Sequence, residues 1–171
     1  MTDRFRFDRR TVVRTVGGTA LAVSLAGCAG DEPTEEEAPE QAAEHDTVEP
    51  PEAVDDFLTE YDATGYDGEM IDATGTDELT VDVGSGDLGF GFSPVVVVID
   101  AGTTVTFDWT GVGGDHNVIA AEESDIDIDV EETLVAEEGH TAEETFEESG
   151  TYLYECEPHV ANGKVGAIVI E

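Results

Sequence analysis

One thiol and two imidazoles are spaced along the chain in a way that suits a metal site. Cys156 ends a β-rich run, His159 follows three positions later, and a second β-rich run resumes at Val165. His116 lies 40 residues before Cys156, in the glycine-rich turn that begins at Gly113. A thiolate with two imidazoles forms the trigonal His₂Cys set that suits copper in electron-transfer sites. These residues therefore predict a copper centre that carries electrons.

The first 28 residues resemble an export signal. Arg9 and Arg10 precede an apolar run at 16–26, which is too short to span a bilayer and fits the apolar region of a secretory signal. The paired arginines indicate the twin-arginine route, with an ordinary basic signal as the alternative. The tetrapeptide Leu-Ala-Gly-Cys that ends at Cys28 resembles a lipobox, in which the cysteine becomes the lipid-bearing N-terminus. We therefore expect export, with a lipid anchor at Cys28 on the outer face of the cell membrane.

The number of cysteines supports metal ligation by Cys156. The chain has two cysteines, and if Cys28 carries lipid then Cys156 has no disulfide partner. An exported protein with one leftover thiol calls for an explanation. Metal ligation supplies one, because the thiolate is the metal-binding form of cysteine. Of the other histidines, His45 is expected to be a bystander and His140, in a polar turn, is expected to be solvent-exposed.

Residues 29–52 change in composition to glutamate, proline, alanine and aspartate. Such a segment has too little apolar content to offset its chain entropy, so we expect it to be disordered. It would act as a flexible acidic tether that holds the following domain above a membrane.

Residues 53–171 have the length of one domain, and their pattern is β. Alternating runs at 79–83 and 105–109 place apolar side chains on one face, and the β-branched run at 95–99 indicates a strand buried on both faces. Glycine-rich turn signals separate the runs. A short helix is predicted near 51–58, where acidic residues suit a helix N-terminus. Short strands at this spacing predict an all-β fold, a β-sandwich.

Acidic residues dominate the composition. The formal net charge is −36, from 42 acidic and six basic residues, and five of the basic residues lie within the first 14 positions. Removal of the first 27 residues leaves a net charge of about −39, with Lys164 as the single base. Repulsion on this scale opposes a compact fold at low ionic strength and is largely screened near 1 M salt, where the Debye length is about 3 Å. The charge therefore fits a high-salt habitat and argues against nucleic-acid binding.

Three other classes of protein fit the pattern less well. The run from Ser149 to Cys156 resembles an immunoglobulin strand with its tyrosine corner, but that fold would need a second cysteine in the domain. A structural zinc site needs four ligands, and no second cysteine supplies one. A cysteine hydrolase also uses Cys and His. However, residues three apart lie in one loop, and neither a groove nor an orienting group is evident.

Short motifs spread along the domain form a combination that is specific to one family. They are Tyr66-Asp-Gly68, Thr74-Gly75, Phe92-Ser-Pro94, Gly102-Thr-Thr-Val105, Trp109-Thr-Gly111, Gly113-Gly-Asp-His116-Asn-Val118, Gly150-Thr-Tyr152, Cys156-Glu-Pro-His159 and Gly163-Lys-Val-Gly166. With these motifs the chain resembles the halocyanins, small blue copper proteins of halophilic archaea within the plastocyanin-like cupredoxin family. The resemblance implies a Greek-key β-sandwich with one copper ion at one end. His116, Cys156 and His159 would be the equatorial ligands, and Asn117 would link the two ligand loops by hydrogen bonds.

Two further positions bear on the expected copper site. Pro158 fixes φ and removes a backbone N–H donor from near the sulfur, one of the levers on reduction potential. The family's weak axial ligand is normally a methionine five residues after the second histidine, and this chain has Lys164 there. Met70, the methionine outside the signal, is expected to be structural. Lys164 either turns its ammonium to solvent, leaving three-coordinate or weakly bound copper, or ligates copper as a neutral amine.

Together these features predict a membrane-tethered copper electron carrier rather than an enzyme. We expect a monomer that shuttles single electrons between redox partner proteins of a membrane electron-transport chain. An enzyme would need an open coordination position and catalytic side chains, and the sequence points to neither. The alternative is a cupredoxin-like module without redox function, whose metal binding is lost or altered because Lys164 replaces the axial methionine.

Overall fold

The structure, a computed structural model, describes residues 46–171. The predicted twin-arginine signal, the lipobox at Cys28 and most of the acidic linker lie outside the described residues. In chain order the elements are β1 (Thr47–Val48), α1 (Glu52–Glu60), β2 (Met70–Asp72), β3 (Glu78–Ser85), β4 (Gly91–Ser93), β5 (Val96–Ile99), β6 (Thr104–Trp109), β7 (His116–Ala120), β8 (Glu131–Val135), β9 (Thr141–Thr145), β10 (Gly150–Glu155), a 3₁₀ turn (Val160–Asn162) and β11 (Val165–Ile170). None of the helices within 46–171 has the length and apolar character needed to cross a membrane.

The strands form two sheets. One sheet has the strand order β1-β2-β5-β11-β10-β7-β8, and the other has the order β4-β3-β6-β9. Strand β5 is parallel to both β2 and β11, and β3 is parallel to β6, so these neighbours are joined by connections that cross over. The predicted all-β, Greek-key β-sandwich is confirmed.

Strand β5 is buried on both faces because a different layer covers each of them. Val97 and Ile99 belong to the core between the two sheets. Val96 and Val98 point the other way and pack in a second cluster with residues of α1. The continuous apolar run predicted to be a doubly buried strand is thereby confirmed, and α1 is the second layer that it needs.

Helix α1 is held in place by packing rather than by its own propensity. An isolated helix of nine residues is marginal in water, and the helix has no side-chain cap at its start. Its apolar stripe, Val54, Phe57 and Leu58, is buried in the second cluster. Each of these side chains contributes about 1.5–3 kcal/mol by leaving water. The helix predicted near 51–58 is confirmed as Glu52–Glu60.

The ordered chain begins earlier than predicted. Residues 29–52 were expected to be disordered, but Thr47–Val48 forms β1, in which Thr47 pairs with Ile71 of β2. Pro50 is buried just before the helix. The linker boundary at residue 52 is therefore wrong, because composition gives no sign of the sheet edge that supplies β1 with hydrogen-bond partners.

Candidate metal centre

Strand β10 directs the thiol of Cys156 into the sandwich. Side chains alternate along a strand, so Tyr152 and Tyr154 point into the core between the sheets while Leu153 joins the cluster under α1. Cys156 continues the same alternation just beyond the end of the strand and is fully buried. Among the described residues it is the free cysteine. The thiol therefore faces the end of the core, where the two imidazoles meet it.

His116 is held by hydrogen bonds at both its backbone and its ring. It is the first residue of β7, and its carbonyl accepts a bond of 3.2 Å from the indole N–H of Trp109. The ring atom Nε2 lies 2.8 Å from the carbonyl oxygen of Val112, which can only accept, so Nε2 carries the proton. Burial lowers the pKa of this imidazole, which favours the neutral form. Nδ1 is therefore left with its lone pair, ready to bind a metal.

His159 is fixed by the short turn that joins Cys156 to β11. Its N–H donates to the carbonyl of Cys156 at 2.9 Å, and its own carbonyl accepts from the N–H of Lys164 at 3.2 Å. The imidazole stacks on Phe90, with ring centroids 4.6 Å apart. Burial lowers the pKa of His159. The side chain of His159 is partly exposed, whereas those of His116 and Cys156 are fully buried.

The three donor atoms form a nearly equilateral triangle. Sγ of Cys156 lies 3.6 Å from Nδ1 of His116 and 3.6 Å from Nδ1 of His159, and the two nitrogens are 3.2 Å apart. A point equidistant from all three lies about 2.0 Å from each atom. That distance is close to a metal–imidazole bond of about 2.0–2.1 Å. Within residues 46–171 this is the group of His, Cys, Asp and Glu side chains whose donor atoms could hold a metal ion, and its His₂Cys composition fits copper.

Asn117 connects the two chain segments that carry the ligands. Its Oδ1 accepts a hydrogen bond of 2.8 Å from the N–H of Glu157, the residue after Cys156. Burial raises the pKa of the Cys156 thiol, while the backbone N–H of Asn117 and the charge of Lys164 act in the opposite direction. Donors that stabilise the thiolate favour the form that binds metal.

The expectation that Lys164 turns to solvent is wrong. Its side chain is fully buried, and Nζ donates to the carbonyl oxygens of Gly89 and Gly91 at 3.1 and 3.0 Å. Nζ also lies 4.7 Å from the ring centroid of Phe92. Burial lowers the pKa of Lys164 to about 8. Two carbonyls and an aromatic face replace part of the hydration that burial removes.

The other residues named from the sequence are not part of the donor triangle. Pro158 is exposed in the turn between Cys156 and His159. Met70 is buried in the cluster under α1, in keeping with a structural role. His140 is only half exposed, because its ring meets Trp109 edge-on at 4.9 Å and Nε2 lies 3.2 Å from a carboxylate oxygen of Glu131. The prediction of a solvent-exposed His140 is therefore wrong.

Several residues that shape the site escaped the sequence reading. The carbonyls of Val112, Gly89 and Gly91 act through the backbone, so their side-chain types carry no signal. Phe90 lies two positions before the motif that begins at Phe92, and its contact with His159 joins residues 69 positions apart. Gly89 and Gly91, which flank Phe90, were the available sequence signal, since glycine allows another group to approach the backbone closely.

Comparison with known proteins agrees with this geometry. Residues 77–171 match the family described as copper binding proteins, plastocyanin/azurin family. The chain is 44% identical over 164 residues to halocyanin from Natronomonas pharaonis, which covers 96% of this chain and 98% of the relative. It is 34% identical over 99 residues to plastocyanin A'/A'' from Nicotiana tabacum, covering 54% of this chain and 99% of the relative.

Among solved structures, a purple cupredoxin from Nitrosopumilus maritimus aligns with a TM-score of 0.44 and 26% identity, over 54% of this chain and 99% of that chain. The family match and the near full-length similarity to halocyanin decide the assignment. This chain belongs to the plastocyanin/azurin family of copper-binding proteins, as a halocyanin-like cupredoxin.

Proposed function

We propose that this protein is a blue copper electron carrier that shuttles single electrons between redox partner proteins of a membrane electron-transport chain. The observation that carries the proposal is the triangle formed by His116, Cys156 and His159, with two ligands fully buried and one reaching the surface. Because a substrate cannot reach the buried ligands, we propose a carrier rather than an enzyme. A monomer suffices, because all three ligands come from one chain.

Hydrogen bonds from surrounding residues hold the triangle in place. Copper, when bound, supplies one-electron chemistry between Cu(I) and Cu(II). The hydrogen bonds from Nε2 of His116 to the carbonyl of Val112 and from the N–H of Glu157 to Oδ1 of Asn117 fix the ligand positions through the fold. Ligands fixed in this way keep one arrangement in both oxidation states, which limits the reorganisation that accompanies electron transfer. Outer-shell contacts of this kind also orient the imidazole and tune the metal.

The edge of His159 is the proposed point of electron entry and exit. Electron transfer needs close approach of a partner, and His159 is the ligand that is partly exposed. Apolar side chains on neighbouring loops are also exposed, Leu88 at 70% and Val112 at 46%. These two loops touch, since a Cβ at Gly113 would lie 2.8 Å from the carbonyl oxygen of Gly89. A partner docked at this end would meet a small apolar surface beside the ring.

A redox titration of the copper-loaded, full-length chain tests the electron-carrier proposal. We expect one reversible one-electron transition, with the reduced and oxidised forms interconverting without loss of copper.

The competing proposal is a cupredoxin-like module without redox function. It draws support from the buried amine of Lys164, since a cation beside the donor triangle disfavours copper binding. Irreversible reduction, or copper loss in each cycle, would favour that competing proposal.

Anchoring to the outer face of the membrane through Cys28 is part of the proposal. Its support is the twin-arginine segment and the lipobox sequence of residues 1–28. Cys28→Ser should release the protein from the membrane fraction or leave its signal uncleaved, because lipid is the proposed anchor. Unchanged membrane fractionation of Cys28→Ser, with normal signal removal, would contradict the anchor.

A further inference from the structure

The turn after α1 contacts the loop that carries the metal ligands. This turn, residues 62–64, precedes residue 77, where the match to the copper-binding family begins. The N–H of Thr64 donates to the carbonyl of Gly163 at 2.9 Å. Its hydroxyl donates to the carbonyl of Asn162 at 3.2 Å. Both acceptors lie between His159 and Lys164. The turn therefore binds the ligand loop, although it lies outside the residues that match the copper-binding family.

The backbone on each side of this contact is specialised for close approach. Gly163 has a φ of +78°, and a Cβ at this position would collide with the carbonyl oxygen of Asp62. Asp62 itself has a φ of 51°, a positive value that non-glycine residues adopt at a cost. The turn is also tied to the helix, because the N–H of Ala63 donates to the carbonyl of Leu58 at 2.9 Å. A costly conformation persists only where the surrounding structure holds it, and Asp62 adopts one at the point where its carbonyl meets Gly163.

Thr64 also meets the β3–β4 hairpin, which holds Lys164. Its methyl carbon Cγ2 would lie 3.2 Å from a Cβ at Gly91 and 3.6 Å from a Cβ at Gly86, so it fills the space beside both glycines. The carbonyl of Gly91 is one of the two that accept from Nζ of Lys164. One side chain therefore touches both the loop that contains Lys164 and the hairpin that receives its amine.

We propose that Thr64 is a positioning residue of the copper site, which couples the ligand loop to the β3–β4 hairpin and so fixes Lys164 beside the donor triangle. Thr64 acts through Asn162, Gly163 and Gly91 and has no contact with the metal itself. The inference rests on the proposed copper-binding function. It assigns a role at the site to the segment before residue 77, whose α1 packs on the outer face of the larger sheet.

Three substitutions in the full-length protein test this role. Thr64→Ala removes the hydroxyl bond and the methyl contact together, Thr64→Val removes only the hydroxyl, and Thr64→Ser removes only the methyl. Thr76→Val is the matched control, because Thr76 is equally half-buried and its hydroxyl donates to the carbonyl of Ala73 at 2.7 Å, outside the ligand loop. The readouts are the reduction potential, the rate of Cu(II) transfer to a chelator, and amide hydrogen exchange of the copper-free protein.

We expect Thr64→Ala to release Cu(II) about two- to tenfold faster, because the loop that carries His159 loses one hydrogen bond that holds it in place, and to shift the reduction potential. In the copper-free protein, exchange at the amides of Gly163 and Lys164 should accelerate by a similar factor. Thr64→Val and Thr64→Ser should each show a smaller effect than Thr64→Ala, and Thr76→Val should lower only the stability.

If the unsubstituted protein forms the blue site and Thr64→Ala matches it in all three readouts, the coupling is refuted. Equal effects of Thr64→Ala and Thr76→Val would also refute it, because they would reflect general stability. Failure of the unsubstituted protein to bind copper would overturn the proposed function, while the exchange measurement still decides the coupling.

Discussion

The carbonyl oxygen of Val112 accepts a hydrogen bond of 2.8 Å from Nε2 of His116, and this bond decides which imidazole nitrogen faces Cys156. With the proton held on Nε2, Nδ1 presents its lone pair at the centre of the donor triangle. The choice is made by a backbone contact within the fold. Substitutions that move Val112 should therefore weaken copper binding while leaving all three ligands in place.

Gly84→Ala should be such a substitution. A Cβ at Gly84 would lie 2.5 Å from Oγ1 of Thr110 and 2.7 Å from the carbonyl oxygen of Val112, so the Val112 carbonyl must leave its present position beside His116. We expect Cu(II) affinity to fall about tenfold or more, as is typical when the outer partner of a metal-binding histidine is lost. Gly102→Ala is the control, because its φ of +98° is similarly strained for alanine but no atom lies within 4 Å of the added Cβ. Equal affinities of the two variants in a Cu(II) titration would argue against the role of Val112.

Lys164→Leu and Lys164→Met separate the charge of the amine from the chemistry of an axial ligand. Removing the buried cation should tighten Cu(II) binding at least about tenfold and lower the reduction potential, because the cation repels the more highly charged Cu(II). The methionine of Lys164→Met has nearly the same volume as the leucine of Lys164→Leu but adds a soft thioether, which favours Cu(I), so its potential should exceed that of Lys164→Leu. It should also sharpen the blue spectrum. Cu(II) affinity and reduction potential are measured for the unsubstituted protein and both variants. Weaker Cu(II) binding by Lys164→Leu would identify the amine as a ligand. Identical potentials of all three proteins would show that Lys164 does not influence the copper site.

Two neighbouring tyrosines in the core should respond oppositely to loss of their hydroxyl groups. The hydroxyl of Tyr154 is buried without a hydrogen-bond partner in the part of the chain that the structure describes, whereas that of Tyr152 donates to the carbonyl of Ile128 at 2.8 Å. Tyr154→Phe should stabilise the copper-free protein by about 1 kcal/mol, and Tyr152→Phe should destabilise it by about the same amount. Urea denaturation measures both. The reading of this core is contradicted if Tyr154→Phe is the less stable of the two.

The folded domain should depend on salt for its stability. All positive charge outside the first 14 residues resides on Lys164, which is buried, so the surface repels itself. We expect the Tm to fall as the salt concentration drops below about 0.1 M, where the Debye length exceeds about 10 Å. Sodium and potassium chloride at equal ionic strength are the control pair, because screening depends on ionic strength and should be the same for both. A Tm that stays flat from low to molar salt would contradict the prediction.

Local patterns in the sequence were enough to predict the elements on either side of the ligands. Strands β5, β6 and β11 were recognisable from runs of apolar or alternating side chains, because each of them faces the core. Strands β8 and β9 were missed, since their sequences are largely polar and none of their residues is fully buried. A strand at a sheet edge needs only backbone partners, and composition does not reveal these.

The surroundings of Lys164 could not be predicted, for a different reason. Its partners, the carbonyls of Gly89 and Gly91, lie 75 and 73 positions earlier in the chain. The contact between Thr64 and Asn162 joins residues 98 positions apart. Resemblance to a family located Lys164 at the axial position, but only the packing of distant loops decides where its amine points.

The visible absorption spectrum during Cu(II) titration tests the central claim most directly, namely that His116, Cys156 and His159 hold copper. The full-length protein should develop the intense thiolate-to-copper absorption of a blue or related site and saturate at one copper ion per chain. Cys156→Ser should abolish that absorption, because a hydroxyl in place of the thiolate removes the donor of the transition. Tight copper binding with an unchanged spectrum in Cys156→Ser would contradict the assignment of the site.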